Sequence, residues 1–393
     1  MPHIARIARL QKTIQERGLA GALIFYSRDI LYYTGTAQPA YLVVRPTDYM
    51  LFVRRGYAFA QADCKLPQDR MVAESRLATV AQRMFADQER RQPVGTELDL
   101  LTVNHYRHFQ QALDHRPLVD ISDAILDQRS VKAPQEIESV RKACAAVNAG
   151  HLRILERLRP GISELELAAE IEHAQRIAGH EGVFFMRMPD FVMSRGPLAS
   201  GPNLRRTSGN IYTITGTGLS SAVPAGPSRR IIAHGDLLMV DIPTCIEGYH
   251  ADQSRTYAVG RAPEGALDRF ALLREVADHL IDRLKPGMTA GEAYAIAKNR
   301  ADHLGLSDAF LAFDTQPPAH FIGHGVGLEV NEPPLLAANG KALLADHMVL
   351  AIEMHLMAPD GPTLKLEDTV YLTPDGVEIL TLSPRELTVV PCD

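Results

Sequence analysis

Residues 236–260 read DLLMVDIPTCIEGYHADQSRTYAVG. An apolar run closes on Asp241, a turn is expected over 244–248, and the chain returns through a second run that carries Asp252. Strand, turn and strand in this order predict a hairpin. The two aspartates stand 11 residues apart on it, and both can face one cavity.

Two further strand-like runs, MVLAIEMHLMA (348–358) and LKLEDTVYL (364–372), are joined by the turn-rich PDGPT. Each holds a carboxylate among apolar residues, Glu353 in the first and Glu367 in the second. A buried carboxylate is costly without a partner. Between the aspartates and the glutamates comes GHGVGLEVNEPP (323–334), in which His324 is packed between glycines; the stretch fits the wall of a site better than a helix or an ordinary strand. Four acidic side chains and one imidazole make a hard, oxygen-rich set whose charge balances two divalent cations, with no cysteine to soften it. Such a pair of ions can hold a water, lower its pKa and clamp the oxyanion formed when it attacks a carbonyl. The plainer alternative pairs the strand carboxylates with Lys365 or Arg255. It serves for any one residue and poorly for all five in this order.

The chain has 393 residues, enough for two or three domains. With 46% hydrophobic and 22% charged residues it lies in the ordinary globular range. A net charge of −6 argues against nucleic acid as a general partner. Cys64, Cys144, Cys245 and Cys392 are far apart with no Cys-x-x-Cys spacing, which points to a reducing, cytoplasmic setting and away from a thiolate zinc site. Ile4, Ile7, Leu10 and Ile14 recur at helical spacing and predict an amphipathic first helix that is neither a signal peptide nor a membrane anchor. No run approaches the ~20 apolar residues that span a bilayer.

GALIFY, YLVV and YMLFV, alternating with helical stretches, predict an α/β N-terminal domain over 1–128. A second domain, 129–393, opens on a long helix with Pro134 near its start and Ile137, Val140, Cys144, Val147, Ile154 and Leu158 on one face. Inside it ERLRPGIS (156–163) is echoed by DRLKPGMT (282–289). Each copy ends a helix, turns at Pro-Gly and opens another helix with a capping box, Ser163 to Glu166 and Thr289 to Glu292. The echo predicts two similar halves, and a junction of halves is a common place for a site.

These motifs resemble the pita-bread metallopeptidases: methionine aminopeptidase and, more closely, proline dipeptidase, aminopeptidase P and creatinase. GLAGALIFYSRDILYYTG resembles the creatinase-type N-terminal domain, and VDIPTCIEGYHADQSRT, HFIGHGVGLEVNEPP, AIEM and LKLEDTVYLT follow in the family's order. The resemblance implies an α+β C-terminal domain, with pseudo-twofold halves around a curved antiparallel sheet. It implies two divalent ions, Mn, Co, Fe or Zn, held by Asp241, Asp252, His324, Glu353 and Glu367, with Asp252 and Glu367 bridging and Glu353 also the general base. It implies a small-molecule or short-peptide substrate of the Xaa-Pro type, an activated water attacking an amide carbonyl, and a homodimer.

The chain also departs from the pattern. The peptidases carry histidine where this chain has Asn331 and, after the proline of SSAVPAG, where it has Ala225. A positioned proton donor is typically worth ~10²–10⁴ in rate. Asn331 still donates a hydrogen bond, whereas the Ala225 side chain donates none. His320, which matches a histidine of the relatives, and His250 are the nearest replacements. His355 is expected to point away from the Glu353 face. Arg195, Arg205 and Arg206 are candidates to grip a substrate carboxylate. The departures open an alternative: a non-peptidase of the same fold that cleaves a small molecule, as creatinase, ectoine hydrolases and dimethylsulfoniopropionate lyases do.

Overall fold

The apolar spacing at the start of the chain folds into α1 (Pro2–Glu16), which buries Ile7, Leu10 and Ile14 and leaves Ile4 half-buried. The structure, a computed structural model, describes residues 2–392 apart from 88–91, 189–190, 192–194 and 210. The chain divides into two units, Met1–Arg129 and Ser130–Asp393.

After α1 the first unit continues as β1 (Gly21–Ile24), α2 (Ser27–Thr34), β2 (Ala40–Val44), β3 (Tyr49–Val53), α3 (Tyr57–Asp63) and β4 (Met71–Ala73). It closes with α4 (Leu77–Phe85), β5 (Val94–Thr96), α5 (Val103–Ala112), β6 (Leu118–Asp120) and α6 (Ser122–Ser130). The strands form one mixed sheet in the order β4-β3-β2-β1-β5-β6, antiparallel from β1 to β3 and parallel elsewhere. Helices alternate with strands, so this unit is α/β.

The second unit begins with α7 (Pro134–Arg157), α8 (Glu164–Ile177) and β7 (Leu198–Ser200). The opening stretch of sequence supplies β8 (Leu237–Asp241), β9 (Thr244–Ile246), β10 (Tyr249–Ala251) and β11 (Ser254–Val259). Then come α9 (Ala266–Ile281), α10 (Ala290–His303), β12 (Phe321–Gly325), β13 (Glu332–Ala337), β14 (Val349–Met357), β15 (Thr363–Thr373), β16 (Gly376–Ile379) and β17 (Thr388–Val390). The expected hairpin is present as β8 paired antiparallel with β11. The turn expected over 244–248 is tighter than that. Residues 244–246 are the strand β9, which pairs with β10, and the reversal is confined to Glu247 and Gly248, both at positive φ (54° and 81°). That is the left-handed pair a two-residue hairpin turn requires.

The sheet of this unit is curled, runs β13-β12-β14-β15-β11-β8-β7, and is antiparallel along that path. Strand alternation explains why it is covered on two sides. Leu237 and Met239 of β8 pack with Phe270, Leu273, Ala293 and Ala297 of α9 and α10, whereas Leu238 and Val240 pack with Ile154, Leu167 and Ile171 of α7 and α8. Alanines at 290, 293, 297 and 301 keep the buried face of α10 small. The two helix pairs are the similar halves. Each second helix opens with a real capping box, Ser163 with Glu166 and Thr289 with Glu292, and each capping residue bridges to a later segment, Ser163 to Ile231 and Thr289 to Leu343. Among the described residues no helix is long and apolar enough to cross a membrane.

Candidate metal centre

Strand register builds the site. Asp241 on β8 lies opposite Ser254 on β11, Ser254 lies opposite Glu367 on β15, and Glu367 lies opposite Glu353 on β14. One row across four neighbouring strands therefore carries three of the carboxylates. Asp252 precedes Ser254 by two residues and so shares its face, and His324 on β12 lies opposite Ala351, two residues before Glu353. Thr369 clasps the Asp252 backbone, accepting from its N–H at 2.9 Å and donating to its carbonyl at 2.7 Å.

The glycines around His324 answer to close approach. A Cβ at Gly323 would stand 2.2 Å from the Ala351 carbonyl oxygen, and one at Gly325 would stand 2.2 Å from that of Pro333. Any larger residue would push β12 off its neighbours and carry the imidazole with it. His324 Nδ1 lies 3.0 Å from the Gly325 carbonyl oxygen. Nε2 faces Glu353 Oε1 at 3.5 Å and Asp252 Oδ2 at 3.9 Å; these carboxylates outweigh burial and raise the imidazole pKa, and a metal ion at Nε2 would take the place of the proton there.

All five residues line one cavity of about 270 Å³. Asp252, His324 and Glu367 each offer a ligand atom, and these atoms lie within 4.8 Å of one another. Asp252 Oδ1 and Glu367 Oε2 are buried without a hydrogen-bond partner. A buried carboxylate oxygen with no partner at Asp252, and one at Glu367 held only by an ion pair, beside the imidazole nitrogen are what a divalent cation would satisfy, so the residues fit a metal. One cation is built in: the Lys365 ammonium lies 2.6 Å from Asp241 Oδ2, 2.9 Å from Glu353 Oε2 and 3.2 Å from Glu367 Oε2.

Charge is unevenly shared across the cluster. Burial, reinforced by the Asp241 charge, pushes the Asp252 carboxyl up to about 7, and burial with the Asp252 charge raises Glu367 well above the carboxylate range. Burial works the same way on Glu353, but Lys365 and His324 outweigh it and hold that carboxyl low. A raised carboxyl keeps its proton below its pKa, and an incoming metal ion must displace that proton. Metal uptake should therefore release protons. Its apparent affinity should fall about tenfold for each pH unit below the Asp252 pKa, per proton displaced. Calorimetric titration with Mn²⁺ at several pH values reads this, and affinity flat from neutral pH downward would contradict it.

Other candidates fall elsewhere. Asn331 and His320 both line the cavity, His320 exposed and edge-on to Tyr212 and Phe321. His250 does not line it. Its Nδ1 lies 2.9 Å from the Gly327 carbonyl oxygen and its Nε2 accepts from the Phe185 N–H at 3.1 Å, so it fastens the segment that carries Phe184 and Met186 to the cavity wall. His355 was expected on the opposite face from Glu353. Two residues along a strand return to the same face, and it is withheld because Nε2 is bonded to the Ala312 carbonyl oxygen at 2.9 Å, while burial brings its pKa down to about 4. Ala225 is fully buried and does not line the cavity. The three arginines do not reach it either: Arg205 pairs with Asp314, Arg195 lies 3.8 Å from Glu172, and Arg206 does not line the cavity. Sequence reasoning missed Thr213, Tyr212 and the apolar wall of Phe184, Met186, Met188 and Leu335. It noted Lys365 only as a rival partner for the carboxylates, and the structure puts that lysine inside the ligand set.

Fold and site together give a buried, oxygen-rich candidate metal centre on a curled sheet. Residues 138–374 match metallopeptidase family M24 and residues 6–131 match the creatinase/prolidase N-terminal domain, and the chain belongs to the M24 family. It is 27% identical over 386 residues to an Xaa-Pro dipeptidase of Pyrococcus furiosus, covering 97% of this chain and 99% of that one. It is 30% identical over 301 residues to a probable dipeptidase, PepE, of Mycobacterium bovis, covering 76% and 71%. The solved structure of an Xaa-Pro dipeptidase from Bacillus anthracis has the same fold, with a TM-score of 0.82 at 24% identity over 98% of this chain and 99% of that one.

Proposed function

We propose that the chain hydrolyses Xaa-Pro dipeptides in a metal-dependent reaction. The observation that carries this reading is the convergence of Asp241, Asp252, His324, Glu353 and Glu367 on one cavity, with oxygens of Asp252 and Glu367 left without hydrogen bonds. A bound divalent ion, drawn from Mn, Co, Fe or Zn, would supply Lewis acidity to the amide carbonyl and to water. Glu353, kept ionised by Lys365 and His324, accepts the proton of the attacking water and returns it to the leaving amine. Asn331 and His320 line the same cavity and offer donors to the substrate carbonyl. Phe184, Met186, Met188, Phe321 and Leu335 give an apolar wall suited to a proline ring and an apolar neighbour. The four carboxylates and the imidazole have donor atoms enough for two ions. The reading includes the homodimer and the cytoplasmic location that the resemblance and the cysteine usage imply.

A second reading, cleavage of a small molecule by a non-peptidase, is favoured by Asn331 in the cavity wall, where the resemblance implies a histidine. A panel of Xaa-Pro dipeptides, small amides and betaines separates the two. Metal-loaded protein should cleave Leu-Pro or Met-Pro in preference to Gly-Pro, by about tenfold for the added apolar contact. Turnover of a small amide or betaine with every dipeptide refused would move the assignment to the second reading.

A further inference from the structure

Residues 183–188 form no helix or strand, yet Phe184, Met186 and Met188 line the apolar side of the cavity. Without a ladder of its own, such a stretch is placed by the hydrogen bonds its backbone makes to neighbours. Phe185 makes two: its N–H donates to His250 Nε2 at 3.1 Å, and its carbonyl oxygen accepts from the Val330 N–H at 2.9 Å. Side chains alternate about this tether. The Phe185 ring turns to His250, edge-on with centroids 5.9 Å apart, while Phe184 and Met186 on either side of it reach the cavity. His250 is fully buried on β10, and its own N–H and its Nδ1 each lie 2.9 Å from the Gly327 carbonyl oxygen. A ring nitrogen that accepts from an N–H carries no proton, so the proton sits on Nδ1 and is donated to Gly327.

We propose that His250 is a specificity-determining positioning residue: it does not line the cavity, and it sets the preference for an apolar substrate residue by fixing the wall segment at Phe185. The proposal rests on the dipeptide reading above. An imidazole suits the task because one rigid ring donates at one edge and accepts at the other, and here it spans from the Gly327 carbonyl to the Phe185 N–H. Released from that tether, the wall would still be apolar, but a substrate would have to order it on binding, and that ordering offsets the gain from apolar contact. A substrate with a small side chain touches the wall little and has little to lose. The effect therefore separates one substrate from another, which a general loss of stability does not.

Metal-loaded wild type, His250→Phe, His250→Gln and His250→Asn are compared by kcat and KM on Leu-Pro and Gly-Pro, and by hydrogen exchange of the peptide that carries Phe185. Phenylalanine keeps a ring and removes both bonds, glutamine offers Oε1 where Nε2 stood, and asparagine replaces only the Nδ1 donor. In His250→Phe the roughly tenfold preference for Leu-Pro should fall to about unity, through a higher KM for Leu-Pro with kcat within a few-fold. Exchange around Phe185 should quicken by about tenfold or more. His250→Gln should keep most of the preference and the slow exchange, and His250→Asn should lose both. No Leu-Pro preference in wild type, an unchanged ratio in a folded His250→Phe, or an equal fall on both substrates would overturn the proposal. Where phenylalanine prevents folding, glutamine decides: a preference kept no better by glutamine than by asparagine would overturn it. If wild type refuses every dipeptide, the dipeptidase reading falls by itself, and the ratio is read between large apolar and small members of the class that is cleaved. Exchange around Phe185 as slow in His250→Phe as in wild type would overturn the tether under either reading.

Discussion

Glu353→Gln should lower kcat/KM on a proline dipeptide by about 10²–10⁴, the usual contribution of a positioned base, with a divalent ion still bound. Glu353 sits in the middle of β14 opposite Glu367, with Oε2 2.9 Å from the Lys365 ammonium and Oε1 3.5 Å from His324 Nε2. The amide keeps the size of the side chain and one oxygen facing the cavity, and it loses the ability to take a proton. Fold and metal retention should survive because Asp252, His324 and Glu367 are untouched. A loss confined to KM would mean that Glu353 only binds substrate, and activity within a few-fold of wild type would place the base elsewhere.

Arg255→Met should destabilise the protein by about 3–5 kcal/mol, the cost of breaking a buried, fully bonded ion pair from one side. Arg255 is 2% exposed. Its Nη2 lies 2.6 Å from Asp368 Oδ1 and 3.0 Å from the Ser383 carbonyl oxygen. Its Nη1 donates to the carbonyls of Glu367 at 2.6 Å and Ser254 at 3.0 Å, and its Nε donates to that of Pro384 at 2.8 Å. Methionine fills much of the space and bonds none of these. Asp368 would keep Arg385 and Thr381, but four carbonyls, those of Ser254, Glu367, Ser383 and Pro384, would lose the arginine as donor. Urea unfolding should show a lower midpoint at unchanged slope. Metal affinity should fall in parallel, since Arg255 grips β15 at the backbone of Glu367, and a loss under 1 kcal/mol would show that the network relaxes around the gap.

Much of the site was readable from single residues because it rests on short-range rules. A carboxylate inside an apolar β-run marks a buried polar group in need of a partner, and Asp241, Glu353 and Glu367 each stand so. The capping boxes at Ser163 and Thr289 need only a side chain and a backbone N–H three residues on, so the repeated half was legible from its helix starts. The two strands of the opening stretch were legible from their apolar runs, while the small β9–β10 hairpin between them was not, since three-residue strands carry too little pattern.

The tertiary structure decided what depends on partners far along the chain. Arg255 had seemed a rival for the metal-site carboxylates. Instead it takes Asp368, because alternation along β15 turns Glu367 to the cavity and its neighbour the other way. The sequence offers His250 as a spare proton donor and turns His355 away from the site, yet both spend ring nitrogens on backbone groups of distant segments. Lys365 is the sharpest case. In the sequence it is one basic residue in a strand, able to point anywhere its rotamers allow. Only when Thr213, Asp241 and Glu353, separated from it by 152, 124 and 12 residues, are folded around it does its ammonium acquire three fixed acceptors and a place inside the ligand set. Strand pattern and helix caps are properties of neighbouring residues, whereas the occupant of a cavity is a property of every strand that lines it.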